Sequence, residues 1–223
     1  MAEPAAAIAS PAAQTAMTAD ERHWLLRRLH SLSGIVPIGG FLFFHIFENA
    51  YVLRGGDAWW SETSFTRGLP LQVFIEAAVL WLPITYHAVY GIVITATAAP
   101  NTRGYTYERN LQYTLQRVTG ILAFLFIFFH VISTRGWFYL TGTETNYARM
   151  HEFMMNPVFL SIYLIGVLAC VYHLCNGIFT FCITWGLTVG PNAQRLVNRA
   201  CVALFLVLAT VSVGILIAFR APA

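Results

Sequence analysis

Four of the seven histidines in this 223-residue chain are almost evenly spaced: His45, His87, His130 and His173, at intervals of 42, 43 and 43 residues. Each lies inside a different apolar run. His23 and His30 precede the first run, and His151 lies between the third and the fourth. An ionisable group in a long apolar run is costly and is usually kept for function. One such histidine reads most simply as a core residue bonded to a neighbouring helix; one in each of four consecutive runs does not. Their surroundings repeat too. LHSLSGIVPIGGFLFFHIF at His45 and LQRVTGILAFLFIFFHVIS at His130 share L-x-x-[LV]-[ST]-G-I and then F-F-H, while YHAVYGI at His87 matches YHLCNGI at His173. His45 to His130 is 85 residues and His87 to His173 is 86, so the first two runs look like the next two, a weak duplication.

Zinc would want its ligands converging on one point. Here they lie at two depths. His45 is nine residues before Arg54 and His130 five before Arg135, both near one end of their runs, at roughly 8–13 Å by helical rise. His87 and His173 lie past the middle of runs of the opposite direction, at roughly 24–27 Å from the same face. Two layers result, with two histidines each, and two imidazoles facing across a bundle fit the axial positions of a haem iron. Pairing His45 with His130 and His87 with His173 satisfies that geometry, whereas pairing adjacent runs would stretch one haem over roughly 14–16 Å of depth. Gly91 and Gly177, four residues after the deeper histidines, either let a flat macrocycle lie against the helix or allow close helix packing. The acids within the runs, Glu48 and Glu76, both fall in the half nearer His45 and His130, a pattern suited to proton delivery on that side.

Composition says what must position these residues. Hydrophobic residues make up 57% of the chain and charged ones 10%, with a mean hydropathy of +0.62. That excludes both a water-soluble globule and a disordered chain. The expected fold is an all-α integral membrane protein with five transmembrane helices over about 32–53, 71–98, 115–134, 158–184 and 200–219, each long enough to cross a hydrocarbon core of ~30 Å. Kinks are expected at Pro37 and Pro83, and a short interfacial helix around 147–155 in the loop from Arg135 to Pro157. Residues 1–28, Ala- and Pro-rich at the start, read as a disordered inner-side tail, and 29–223 as one transmembrane domain. All 13 basic residues are arginine, eight of them on the N-terminal side of the membrane against five on the other, so the N-terminus is expected inside. No basic stripe suggests nucleic acid. Cys170, Cys175, Cys182 and Cys201 form no C-x-x-C pair and read as apolar helix residues.

RRLHSLSGIVPIGGFLFFH, LPITYHAVYG, LQRVTGI with FFHV, and YHLCNGIFTFCITWG together resemble the di-haem cytochrome b membrane anchors of succinate dehydrogenases, the five-helix one-polypeptide type related to fumarate reductase anchors. The resemblance runs from about Arg27 to Arg195. It implies that His45, His87, His130 and His173 are axial ligands of two stacked b haems within the first four helices. It also implies a flavoprotein partner carrying FAD, an iron–sulfur partner, a membrane quinone (usually menaquinone) as acceptor, and a bacterial cytoplasmic membrane with succinate oxidised on a partner subunit. Glu76, where similar proteins also carry a Glu, is a candidate for proton exchange with quinone; otherwise it is a helix-end residue bonded to Ser, Thr or water. Arg27, Arg28, His30 and Ser31 are candidates for holding haem propionates or a partner, or else a positive-inside anchor. A di-haem cytochrome b anchor of another respiratory complex, of fumarate reductase, hydrogenase or formate dehydrogenase type, is the alternative, and a haem-free transporter would leave the histidine pairs unexplained.

Overall fold

The computed structural model describes residues 17–222. Five helical spans run through it: Ala19–Arg54, Gln72–Ala96, Glu108–Thr141, Pro157–Thr184 and Pro191–Ala218. With no water in a bilayer core, an α-helix is the form that satisfies its own backbone, and all the regular structure among the described residues is helical. The first span consists of α1 (Ala19–Ser33), π-type turns over Gly34–Gly39, α2 (Gly40–Ala50) and a final tight turn. Its start departs from the expected tail. Thr18 and Glu21 form a reciprocal cap, Glu21 N donating to Thr18 Oγ1 (3.2 Å) and Thr18 N to Glu21 Oε2 (2.8 Å), so the helix begins at Ala19. The rest of the expected tail, residues 1–16, lies outside the described residues.

A short helix, α3 (Gly56–Arg67), follows and has no counterpart in the expected elements. The second span is α4 (Gln72–Ile75), π-type turns over Glu76–Trp81, and α5 (Leu82–Ala96). Both expected kink sites therefore appear as widened turns: Pro37 lies inside one such stretch and Pro83 just after the other. A proline lacks the N–H for its turn and crowds the carbonyl four residues back, and a π turn absorbs both faults without ending the helix. The third span is α6 (Glu108–Val131), π-type turns over Ile132–Gly136, and α7 (Trp137–Thr141). It runs beyond the expected loop start at Arg135.

The expected interfacial helix is present as α8 (Tyr147–Met155), capped by Asn146. Met150, Phe153 and Met154 bury its apolar side, and His151 Nδ1 donates to Phe219 O (2.8 Å), fastening it to the end of the fifth span. Asn156 then caps α9 (Pro157–Thr184), accepting from Val158 N at 2.9 Å, and Pro157 takes the first position, where its missing N–H costs nothing. The fifth span is α10 (Pro191–Ala218). α9 is the central helix, packed on α6, α10 and the Gly34–Gly39 turns, and α10 also lies against α2. Lipid tails are as apolar as leucine, so close packing through small residues holds such helices together. Gly166, Ala169 and Cys175 supply it on the buried side of α9. The end carrying α3 and α8 is called upper below, and the end where α1 begins, lower.

Candidate functional site

The four evenly spaced histidines meet in two pairs. His87 on α5 faces His173 on α9 at the lower level, with ring centroids 6.1 Å apart and planes at 88°. His45 on α2 faces His130 on α6 at the upper level, 5.8 Å apart and at 71°. Two metal–nitrogen bonds of about 2 Å, with about 1 Å from each nitrogen to its ring centre, give roughly 6 Å between centroids for two imidazoles sharing one metal. Both pairs have that separation.

The lower rings are oriented by backbone. His87 Nδ1 donates to His30 O at 2.9 Å, with Ser33 Oγ at 3.4 Å, and His173 Nδ1 donates to Gln116 O at 3.0 Å. Each acceptor lies 57 residues before its histidine, so the duplicated motifs repeat the hydrogen bond as well as the residue. With Nδ1–H engaged, Nε2 is the free nitrogen of each ring, the arrangement a metal-binding imidazole needs. The glycine of the shared [ST]-G-I motif explains how the rings come so close. A β-carbon on Gly120 would lie 2.9 Å from His173 Cε1, and one on Gly34 would overlap the His87 ring. Gly91 and Gly177 face His30 Cε1 and Gln116 Nε2, at 3.2 and 3.5 Å from a β-carbon built there, which favours close helix packing as their purpose.

Comparison with known proteins points the same way. The family model described as "Succinate dehydrogenase/Fumarate reductase transmembrane subunit" matches residues 110–214. The succinate dehydrogenase cytochrome b558 subunit of Bacillus subtilis (strain 168) is 39% identical over 198 residues, 89% of this chain and 98% of that protein. The chain belongs to this family.

This transmembrane subunit also carries polar atoms suited to a haem's edge. His30 Nδ1 and Arg117 Nε toward the lower end, and Arg135 Nε and Arg149 Nε toward the upper end, are buried without a hydrogen-bond partner. A haem held between a histidine pair would bring two propionate carboxylates, the acceptors such donors lack. Arg117, Arg135 and Arg149 were not singled out from the sequence, where a lone arginine near a helix end is indistinguishable from an interfacial anchor. Among the described residues no group of three or more His, Cys, Asp or Glu is disposed to hold a metal ion, so the histidines converge two at a time only.

The remaining candidates fall at both ends. His30 stacks on the His87 ring (4.0 Å, 10°). Arg28 lies between the indoles of Trp24 and Trp185, 5.0 Å from each, and Ser31 Oγ accepts from Trp185 Nε1 at 3.0 Å. Arg27 is exposed. Glu76 begins the π-type turns of the second span at the upper end. Its carboxylate accepts from Arg135 Nη2 at 3.2 Å on both oxygens and from Gln72 Nε2 at 2.8 Å. Its partners among the described residues are thus an arginine 59 residues away and a glutamine one turn before it, and no Ser or Thr hydroxyl. The four cysteines are free thiols.

Proposed function

We infer that this chain is the membrane anchor and electron-transfer subunit of a succinate dehydrogenase complex, binding two b haems through His45/His130 and His87/His173 and delivering electrons to a membrane quinone. The observation that carries the reading is the pair of histidine contacts, each at the separation two axial ligands require, in a chain of this family. Succinate is oxidised on a partner flavoprotein with FAD, and an iron–sulfur partner hands the electrons to the lower end. The membrane is the bacterial cytoplasmic membrane, the N-terminus lies on the cytoplasmic side, and the quinone is menaquinone.

Haem iron supplies one-electron exchange between its ferric and ferrous states. The chain's own residues do the rest. Four imidazoles, His45 with His130 and His87 with His173, would hold two irons at two depths for electron transfer. Backbone carbonyls of His30 and Gln116 fix the lower rings. His30 and Arg117 below, and Arg135 and Arg149 above, would hold propionates. The lower face around Arg27, Arg28 and Ser31 offers cations and indoles to a partner subunit. At the upper end Glu76 would take up or release a proton at its carboxylate when quinone is reduced, with Gln72 and Arg135 fixing where its oxygens point.

The test is purification of the chain with its natural partners. The complex should contain a flavoprotein and an iron–sulfur protein, show two haems b per chain by pyridine difference spectrum, and reduce quinone with succinate. A stable complex with haem but no dicarboxylate-oxidising activity would contradict the reading.

A further inference from the structure

His130 is oriented by a side chain. Its Nδ1 lies 3.3 Å from the hydroxyl oxygen of Tyr163 on α9. Tyr163 is 3% exposed and enclosed by aromatic rings: Phe126 at 5.3 Å and 81°, Phe129 at 6.1 Å and 80°, Phe153 at 6.4 Å and 48°. Phe126 also stacks on His130 itself (5.7 Å, 27°). Gly166, one turn after Tyr163, makes this possible, because a side chain there would overlap the Phe126 ring. Packed on three sides, the tyrosine ring has no room to swing. A hydroxyl so enclosed needs a partner, and the His130 ring nitrogen provides it.

The duplication supplies no second such residue. The positions 86 and 85 before Tyr163 are Ala77 and Ala78. His45 has the amide of Asn49 beside it, with Nδ2 3.4 Å from both ring nitrogens and anchored by donation to His45 O at 2.8 Å. An amide equidistant from both nitrogens sits over the ring and does not select between them.

We propose that Tyr163 is a positioning residue for the upper metal centre: its hydroxyl accepts from His130 Nδ1, turns Nε2 toward the iron and makes that ligand more electron-donating. The proposal rests on the haem reading above. Hydrogen bonding from the far nitrogen raises ligand basicity and so favours the ferric state. Loss of the acceptor therefore favours the ferrous state and raises the potential of that haem alone.

The experiment is a redox titration of low-temperature haem spectra on the whole complex carrying Tyr163→Phe, beside wild type, with the upper component defined as the one lost in His45→Leu. The reduction equilibrium of the upper component should shift toward the ferrous state by roughly three- to tenfold, the range a single net hydrogen bond supplies, or about 30–60 mV upward. The lower component should stay where it is. A variant that assembles with the lower haem alone, at its wild-type potential, supports the proposal equally. Equal movement of both components, or of neither, overturns it. A wild-type complex lacking two such components would instead overturn the haem reading, so the two failures are distinguishable.

Discussion

The lower and upper histidine pairs each join the two copies of a repeated motif, Y-H-x-x-x-G-I below and F-F-H above, but are held by different means. Below, both rings donate to main-chain carbonyls at matching offsets, His87 to His30 and His173 to Gln116, and a glycine of the opposing helix lies against each. Above, His130 relies on the Tyr163 hydroxyl and His45 lies beside the Asn49 amide. A carbonyl acceptor belongs to the fold and survives substitution of its own side chain; a hydroxyl acceptor can be lost in a single substitution. On the function proposed above, the duplicated fold would fix the lower centre and leave the upper one open to tuning through side chains.

The strongest challenge to that contrast is steric. Gly120→Leu places a side chain where the His173 ring lies, and a crowded core has no cheap way to yield. About half the haem should be lost, all of it from the lower component, because a side chain there displaces the His173 ring from the position its bond to Gln116 O gives it. Haem content by pyridine spectrum together with the surviving spectral component reads the result. Loss from the upper component would erase the distinction between the levels.

A smaller effect is expected at the upper end. Glu76→Gln keeps the size of the side chain and its bond from Gln72 but removes the charge facing Arg135. Quinone turnover should fall by at least about tenfold, a modest value for loss of a proton-transfer group. Haem content and succinate oxidation with an artificial acceptor should be unchanged. Unaltered quinone kinetics across pH would remove Glu76 from proton transfer.

The smallest redox effect belongs to Gln116→Ala. Its side chain donates to His173 O at 3.1 Å and accepts from buried Asn176 at 2.7 Å, but its backbone carbonyl is what holds the His173 ring. Stability should drop by about 1–3 kcal/mol, the cost of leaving a buried amide unpaired, measured by thermal loss of the haem spectrum. The lower potential should not move. A shift as large as that in Tyr163→Phe would mean the lower pair is tuned by side chains as well.

Much of this arrangement was legible in the residues, for reasons that are physical. Apolar runs long enough to span a bilayer have little choice but helix, so five spans, the α8 segment and the depth of each histidine followed from spacing. Pairing followed from depth, since alternate spans run in opposite directions. What was missed depends on contacts between distant positions. Tyr163 has no periodicity to mark its hydroxyl among other aromatic residues of α9. Arg135 and Glu76 lie 59 residues apart, and nothing local announces their pairing. The helix start at Ala19 rests on the Thr18–Glu21 cap, a short polar signal in a segment of disordered composition. The glycines that admit the lower rings, Gly34 and Gly120, lie in the repeated [ST]-G-I motif, whereas Gly91 and Gly177, equally open from sequence to a macrocycle or to helix packing, face His30 and Gln116.

Single replacement of each spaced histidine by leucine, with low-temperature spectra and redox titration of the assembled complex, tests whether two haems are shared as the two contacts imply. His45→Leu and His130→Leu should abolish one component, and His87→Leu and His173→Leu the other. If His45→Leu and His87→Leu instead strike a shared component, the two-level arrangement is wrong.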